Sequence, residues 1–294
     1  MKVRIGIGAG ASTGPEELGV LADQLEELGF DSIWLPEILT GATVDPLVGL
    51  AWLGGRNPGL KLGTTMLLPG RNLLRLAKAV ASLDALSAGR FLVTMVPGIA
   101  QGAEREAVGP APGQRGALMD EAMPVLRRLW AGDRVTYRGA LGQLEDVALS
   151  PVPAQDPFEV WSGGQTRAAL VRCGRLFDGW LPAFCTPKEA AEGRQVVDEA
   201  AEEAGRRISP EHFGVSVLYR RSDPSGPAGE LLRSRLRGRE LDEIVPAGLP
   251  ALRALLEDFV ALGFSKFVVR PLESPGRWRG ELEELAVAVG DLQS

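Results

Sequence analysis

The densest set of groups able to bind an anion lies in seven consecutive residues, Trp161-Ser162-Gly163-Gly164-Gln165-Thr166-Arg167. Two glycines where a strand passes into a helix leave backbone N–H groups facing outward, and the positive end of the helix dipole adds to them. Thr166 and Arg167 suit the same anion, a phosphate above all. A tight turn that needs glycine only for its backbone conformation explains the pair equally well. Glu37 ends a strand beside Trp34, where a partly desolvated carboxylate can donate a proton or hold a cofactor hydroxyl. Capping of the next helix is its competing role. Arg270 ends another strand and suits an anionic substrate or cofactor tail, or an ion pair with a carboxylate such as Glu273. Met66, Leu67 and Leu68 run on apolar after Thr64-Thr65, as a wall against one face of an aromatic ring system would, or as core.

Composition narrows the chemistry. With 294 residues, 45% hydrophobic and 24% charged, the chain can bury a sizeable core. The net charge of −6 and the lack of a Lys/Arg-rich run argue against nucleic acid. The first residues, MKVRIGIGAG, read as a strand and not as a signal peptide, because the apolar run is short, glycine-rich and followed by an acidic segment. Cys173 and Cys185 lack metal-ligand spacing, and the lone His212 cannot supply a histidine cluster, so no metal is expected. A reduced, cytoplasmic enzyme acting on a small molecule, with no membrane partner, is the expectation.

Positioning these groups requires alternating strands and helices. A strand over Val3 to Gly8 precedes a helix from Pro15 to Leu28, with Leu18, Leu21, Leu25 and Leu28 on its buried face and Gly29 ending it. The pattern predicts strands at 30–35, 61–68 and 90–96, with helices from Asp45, over 72–86 and over 116–130. The Gly- and Pro-rich stretch 132–156 reads as an excursion containing a hairpin. Strands at 157–162, 177–181, 213–219 and 264–269 follow, with helices near 165–172, over 187–204 opened by Thr186, over 249–262 and over 280–289. Eight such units, apolar on consecutive strand residues, predict one α/β domain over 1–294, a (β/α)8 TIM barrel with insertions after its fourth and seventh strands.

In such a barrel chemistry gathers where strands end. Those ends hold Glu37, Thr64 to Pro69, Pro97-Gly98, Ser162 to Arg167, Trp180 to Phe184 and Arg270-Pro271. His212 lies just before the seventh strand, at the opposite end, and reads as a surface residue. One rival is an open nucleotide-binding sheet, suggested by Gly6-Ile7-Gly8-Ala9-Gly10-Ala11 with Glu37 as its ribose-binding acid. Its G-x-G-x-x-G spacing fails because position 11 is alanine.

Beyond single residues, the chain resembles the luciferase-like monooxygenase superfamily, in particular its deazaflavin-dependent branch. The resemblance rests on Gly29-Phe30-Asp31-Ser32-Ile33-Trp34 with Glu37, Asp45-Pro46-Leu47, Leu62-Gly63-Thr64 and Leu83 to Phe91 leading to Gly98. Pro151-Val152-Pro153, Ser162-Gly163-Gly164 and Phe177 to Pro182 extend it through the later half. It implies a luciferase-like barrel holding coenzyme F420 or flavin mononucleotide (FMN). The ring would pack over the third strand at Thr64, Thr65 and Met66 near Gly98, and the phosphate over Ser162, Gly163, Gly164, Gln165, Thr166 and Arg167. It also implies a non-proline cis peptide within Thr65 to Leu68, and a homodimer. Many members carry a histidine after an acidic residue at the second strand end, where this chain has Glu37-Ile38, which leaves Glu37 as the catalytic proton donor. Trp34, Trp180 and Phe184 would shape the substrate space, with Arg270 on the substrate. The implied activity is hydride transfer between F420 and a small organic substrate. An FMN-dependent monooxygenase and a non-catalytic ligand-binding barrel are the alternatives.

Overall fold

The computed structural model describes residues 1–98, 107, 109–236 and 238–294. β1 (Arg4–Gly8) leads into α1 (Pro15–Glu27), whose first turn carries Glu16 and Glu17. Gly29 follows that helix at φ +78°, a left-handed conformation that glycine adopts without a Cβ clash. β2 (Ser32–Pro36), α2 (Pro46–Arg56), β3 (Lys61–Leu67), α3 (Leu73–Leu86) and β4 (Phe91–Val96) repeat the unit. Asp45 accepts from the Leu47 and Val48 amides at the start of α2, and Asn72 accepts from the Arg75 amide in α3. Both caps satisfy N–H groups that a first helical turn leaves unpaired.

After α4 (Pro112–Trp130) the Gly- and Pro-rich stretch forms an antiparallel hairpin of β5 (Val135–Gly139) and β6 (Gly142–Val147), separate from the main sheet. The main alternation resumes with β7 (Val160–Ser162), α5 (Arg167–Leu176), β8 (Gly179–Trp180) and α6 (Pro187–Glu203). Thr186 and Glu189 form a reciprocal capping box at the start of α6. β9 (Gly214–Tyr219) is followed by two helices absent from the sequence reading, α7 (Gly226–Leu236) and α8 (Leu241–Ile244). The chain then runs through α9 (Gly248–Ala261), β10 (Lys266–Pro271) and α10 (Trp278–Val289).

The eight main strands are parallel and ordered β8-β7-β4-β3-β2-β1-β10-β9. Bridges from Trp180 to Phe213 and from Ala183 to Ser216 join the two ends, so the sheet closes into a barrel. Closure sets aside the open-sheet reading of the first glycines. Gly6 lies inside β1, where a Cβ would stand 2.1 Å from Ser32 Oγ, so this glycine leaves room for a neighbouring strand's side chain. Outward-facing Ile5, Ile7, Ile33, Leu35, Leu62 and Phe91 join the core shared with the helices. Inward, Trp34, Leu181 and Val268 pack with Leu92 and Trp161 inside the barrel. Burial of both faces is why the strands read as unbroken apolar runs.

Trp34 lies over Gly63, where an added Cβ would come within 2.3 Å of the indole. Gly63→Val is therefore expected to destabilise the fold by about 1–3 kcal/mol. An unchanged urea midpoint would contradict this placement of Trp34. Among the described residues no helix is long and apolar enough to cross a membrane, and no group of three or more His, Cys, Asp or Glu could hold a metal.

Candidate active site at the barrel mouth

Strand alternation decides which predicted residues reach the mouth. Gly63 faces the lumen beneath Trp34, so Thr65 and Leu67 also point inward while Thr64 and Met66 point toward the helices. Met66 is fully buried in the helix-side core, and Thr64 Oγ1 donates to the Leu35 carbonyl at 2.8 Å. The apolar shelf expected at Met66 thus belongs to Leu67, which closes on Gly98. A Cβ on Gly98 would stand 2.0 Å from Leu67 Cδ2, and its φ is +89°. β3 pairs with β4 without interruption, Thr65 with Thr94, Met66 with Met95 and Leu67 with Val96. The bonds from Thr65 to Leu68 are trans, contrary to the expectation from resemblance, and the cis bonds among the described residues precede Pro151 and Pro157.

The glycine turn stands at the top of β7. Gly163 faces inward, where a Cβ would lie 3.0 Å from Val96 Cγ1 and 3.3 Å from the Leu181 carbonyl. Gly164 has φ +104°, and its carbonyl accepts from Trp180 Nε1 at 3.0 Å. Gln165 donates through its side-chain amide to the Ala183 carbonyl, which ties the turn to the end of β8. Thr166 caps α5, its Oγ1 accepting from the Ala169 amide at 3.3 Å. Arg167 and Ala168 occupy the two positions before that, whose amides have no acceptor within a helix. Arg167 itself is exposed, and Ser162 is buried with its hydroxyl on the Gly163 carbonyl.

Two tryptophans assigned to substrate stand elsewhere. Trp180 points out of the barrel, between Gly179 and Leu181 that point in, with its ring against Gly193 of α6 and 6.2 Å from the Phe264 ring. It braces the glycine turn from behind. Trp34 fills the lumen below the mouth, its Nε1 donating to Ser32 Oγ at 3.0 Å, and forms a floor. Phe184, at φ +58°, packs against Leu218, Leu232, Leu236, Ile244 and Val245 at the rim.

The Glu37 side chain is 3% exposed and both its oxygens are engaged: Oε2 accepts from the Leu67 amide at 2.6 Å and Oε1 from the Arg71 guanidinium. Burial pushes the Arg71 pKa down. Arg270 lies across the mouth on β10, where a Cβ on Gly8 would meet its side chain at 3.4 Å. It borders a cavity between the β1 and β10 loops, which are joined by a 2.6 Å hydrogen bond between Ser12 and Ser274. His212 sits at the other end of the barrel, its Nδ1 2.9 Å from the Asp178 carbonyl.

Three residues at the mouth escaped the sequence reading. Arg71 follows β3 in the loop before α3, and a count of charges beside Glu37 would have found it. Thr94 faces the lumen beside Gly163, and its buried hydroxyl has no hydrogen-bond partner among the described residues. Arg115 is 2% exposed and donates to the Pro110 carbonyl at 2.9 Å and the Pro97 carbonyl at 3.4 Å, reaching the end of β4 from the first turn of α4, one residue before the helix predicted over 116–130. Glu37, Thr65, Leu67, Gly98, Thr94 and Gly163 to Thr166 thus form one arc over β2, β3, β4 and β7, with Arg270 opposite. A lumen-facing glycine, an unpartnered buried hydroxyl and open helix amides fit a planar ring with a phosphate tail.

The family model described as luciferase-like monooxygenase matches residues 1–232. The chain is 31% identical over 179 residues to a protein of Kineococcus radiotolerans named F420-dependent glucose-6-phosphate dehydrogenase, covering 57% of this chain and 52% of that one. It is also 31% identical over 184 residues to the pyrimidine monooxygenase RutA of Escherichia coli, covering 59% and 47%. The chain therefore spans about half the length of these curated relatives. A coenzyme F420-dependent tetrahydromethanopterin reductase from Methanopyrus kandleri shares the fold over the full length of both chains, with a TM-score of 0.80 at 17% identity.

Proposed function

From the premise that the chain belongs to the luciferase-like monooxygenase family, we propose that it is an F420-dependent oxidoreductase moving hydride to or from a small organic substrate. The observation that carries this reading is the Gly163-Gly164 turn at the α5 N-terminus, open to the barrel mouth. Similarity to a relative named for F420 dependence supports the choice of cofactor.

When bound, the deazaflavin supplies a ring carbon that accepts or donates hydride. The protein's part is to hold, orient and keep dry. The amides of the turn and of the first residues of α5, with Thr166 and Arg167, hold the phosphate. Thr65, Leu67, Thr94 and Gly98 line the ring, with Thr64 and Met66 fixing β3 from behind and Ser162, Gln165 and Trp180 fixing the turn. The Trp34 and Trp161 indoles close the lumen beneath the ring. Arg270 holds an anionic group of the substrate across the mouth.

Glu37, expected from sequence as the proton donor, is reassigned as a positioning residue because two donors already occupy its carboxylate. Glu37→Gln is expected to cost about 1–2 kcal/mol of stability by stranding Arg71. It should raise the KM for the cofactor and leave both limbs of the kcat pH profile in place. A lost limb would restore Glu37 as the proton donor.

An FMN-dependent monooxygenase is the second reading, favoured by the likeness to RutA. Titrating the purified chain with F420 and with FMN separates the two. Micromolar binding of F420 with at least tenfold weaker FMN supports the first reading, and the reverse order supports the second. A barrel that only binds a ligand becomes the better account if neither cofactor binds. A cytoplasmic homodimer completes the proposal, and sedimentation should give twice the chain mass.

A further inference from the structure

The N-terminal end of the barrel holds a separate cavity of about 150 Å³, on the far side of the indole floor from the mouth. Trp34, Leu92 and Trp161 make it apolar within. Arg4, Lys61 and Lys266 stand at its wall and converge on one carboxylate. Asp31 Oδ1 takes Lys61 at 2.8 Å and Arg4 at 3.5 Å, and Oδ2 takes Lys266. The Lys266 and Asp31 side chains are 8% and 11% exposed.

Three cations on one carboxylate leave an excess of two positive charges in that cluster. Of the other charged groups lining the cavity, Glu159 lies 3.3 Å from His212, Glu211 is exposed, and Lys2 adds a further cation. Burial, then repulsion from Lys61 and Arg4, brings Lys266 down to about 8 in spite of Asp31. Asp31 serves the buried Lys266 through one oxygen, while Arg4 and Lys61, each 30% exposed, share the other, so a bound anion would complete the cluster. An indole floor under a cationic wall matches a ligand with a flat apolar body and one negative end.

We propose that this cavity binds a small planar aromatic carboxylate, its ring against Trp34 and Trp161 and its carboxylate on Lys61 and Arg4. The site lies at the opposite end from the proposed cofactor and stands independently of it.

The test is calorimetric titration of the purified chain with benzoate, with benzamide as the uncharged ring and inorganic phosphate as the charge without a ring. Benzoate should bind at one site with a Kd of roughly 0.1–1 mM. Benzamide and phosphate should each bind at least tenfold more weakly. Lys61→Gln and Arg4→Gln should each weaken benzoate by about tenfold. Both side chains are 30% exposed, so either variant should keep the wild-type near-UV spectrum, and the two serve as independent arms. Gly164→Val at the mouth should leave benzoate binding unchanged. No benzoate binding, equal binding of benzamide or phosphate, unaffected binding in both charge variants, or loss in Gly164→Val each overturns the proposal.

Discussion

A valine at position 164 is expected to weaken coenzyme F420 binding by about 100-fold while the barrel stays folded. Gly164 has φ +104°, and a Cβ there would stand 3.1 Å from Ala169 Cβ. A β-branched residue does not adopt that conformation, so the turn must rotate. Rotation breaks the 3.0 Å bond from Trp180 Nε1 to the Gly164 carbonyl and turns the adjacent amides away from the mouth. Losing one charge-assisted hydrogen bond to a phosphate, worth about 1.5–3 kcal/mol, accounts for the drop. The strain itself costs about 1–3 kcal/mol, less than a typical fold's stability. Fluorescence titration with circular dichroism as a fold control reads both effects. A weakening of less than about fivefold would remove the turn from the cofactor site.

Asp31→Ala is expected to cost about 3–5 kcal/mol, because it strands a buried ammonium. Burial alone would raise the Asp31 pKa, but attraction to Lys266 and Lys61 overcomes it and holds the carboxyl at about 2 against its ordinary 3.8. A carboxyl whose folded pKa is depressed stabilises the fold above 3.8, and that contribution disappears as pH falls from 3.8 to 2. The wild type should therefore lose stability through that window, and the variant should lack this part of the acid limb. Lys266 runs the other way. With its folded pKa near 8, below the ordinary 10.5, it relieves a burial penalty as pH rises between those values. Without Asp31 that relief begins at lower pH, so the variant's deficit should narrow as pH rises toward 8 and stay constant above it. Urea midpoints at pH 7 and above 8 measure it, and a loss below about 1 kcal/mol at pH 7 would show that the cluster is not held by Asp31.

Much of the fold was legible because punctuation along the chain is local. Asp45 and Thr186 cap helices through their own side chains, Gly29 ends α1 in the left-handed region, and the Gly- and Pro-rich stretch folds as the hairpin it suggested. What stayed hidden was the direction in which strand residues point. In β3 polarity does not follow the face, since Thr64 and Thr65 point opposite ways and the half-buried Leu67 faces the lumen, and β8 is two residues long with both buried, so no polar alternation marks the lumen side. Met66 and Trp180 read as mouth residues although both face the helices, and it takes Trp34 lying over Gly63 and Leu67 closing on Gly98 to fix the alternation of β3. The Glu37 carboxylate looked available because its two partners come from the end of β3 and the loop after it. The helices α7 and α8 carry Gly and Pro at their margins and little apolar periodicity, so nothing local announced them.

The most direct test of the central claim is a crystal structure of the protein with coenzyme F420 bound. Phosphate density on the amides between Gly163 and Ala168, with the ring over Thr65 and Leu67, is the predicted result. A phosphate seated at Arg270 between the β1 and β10 loops, with the Gly163-Gly164 turn empty, would contradict it.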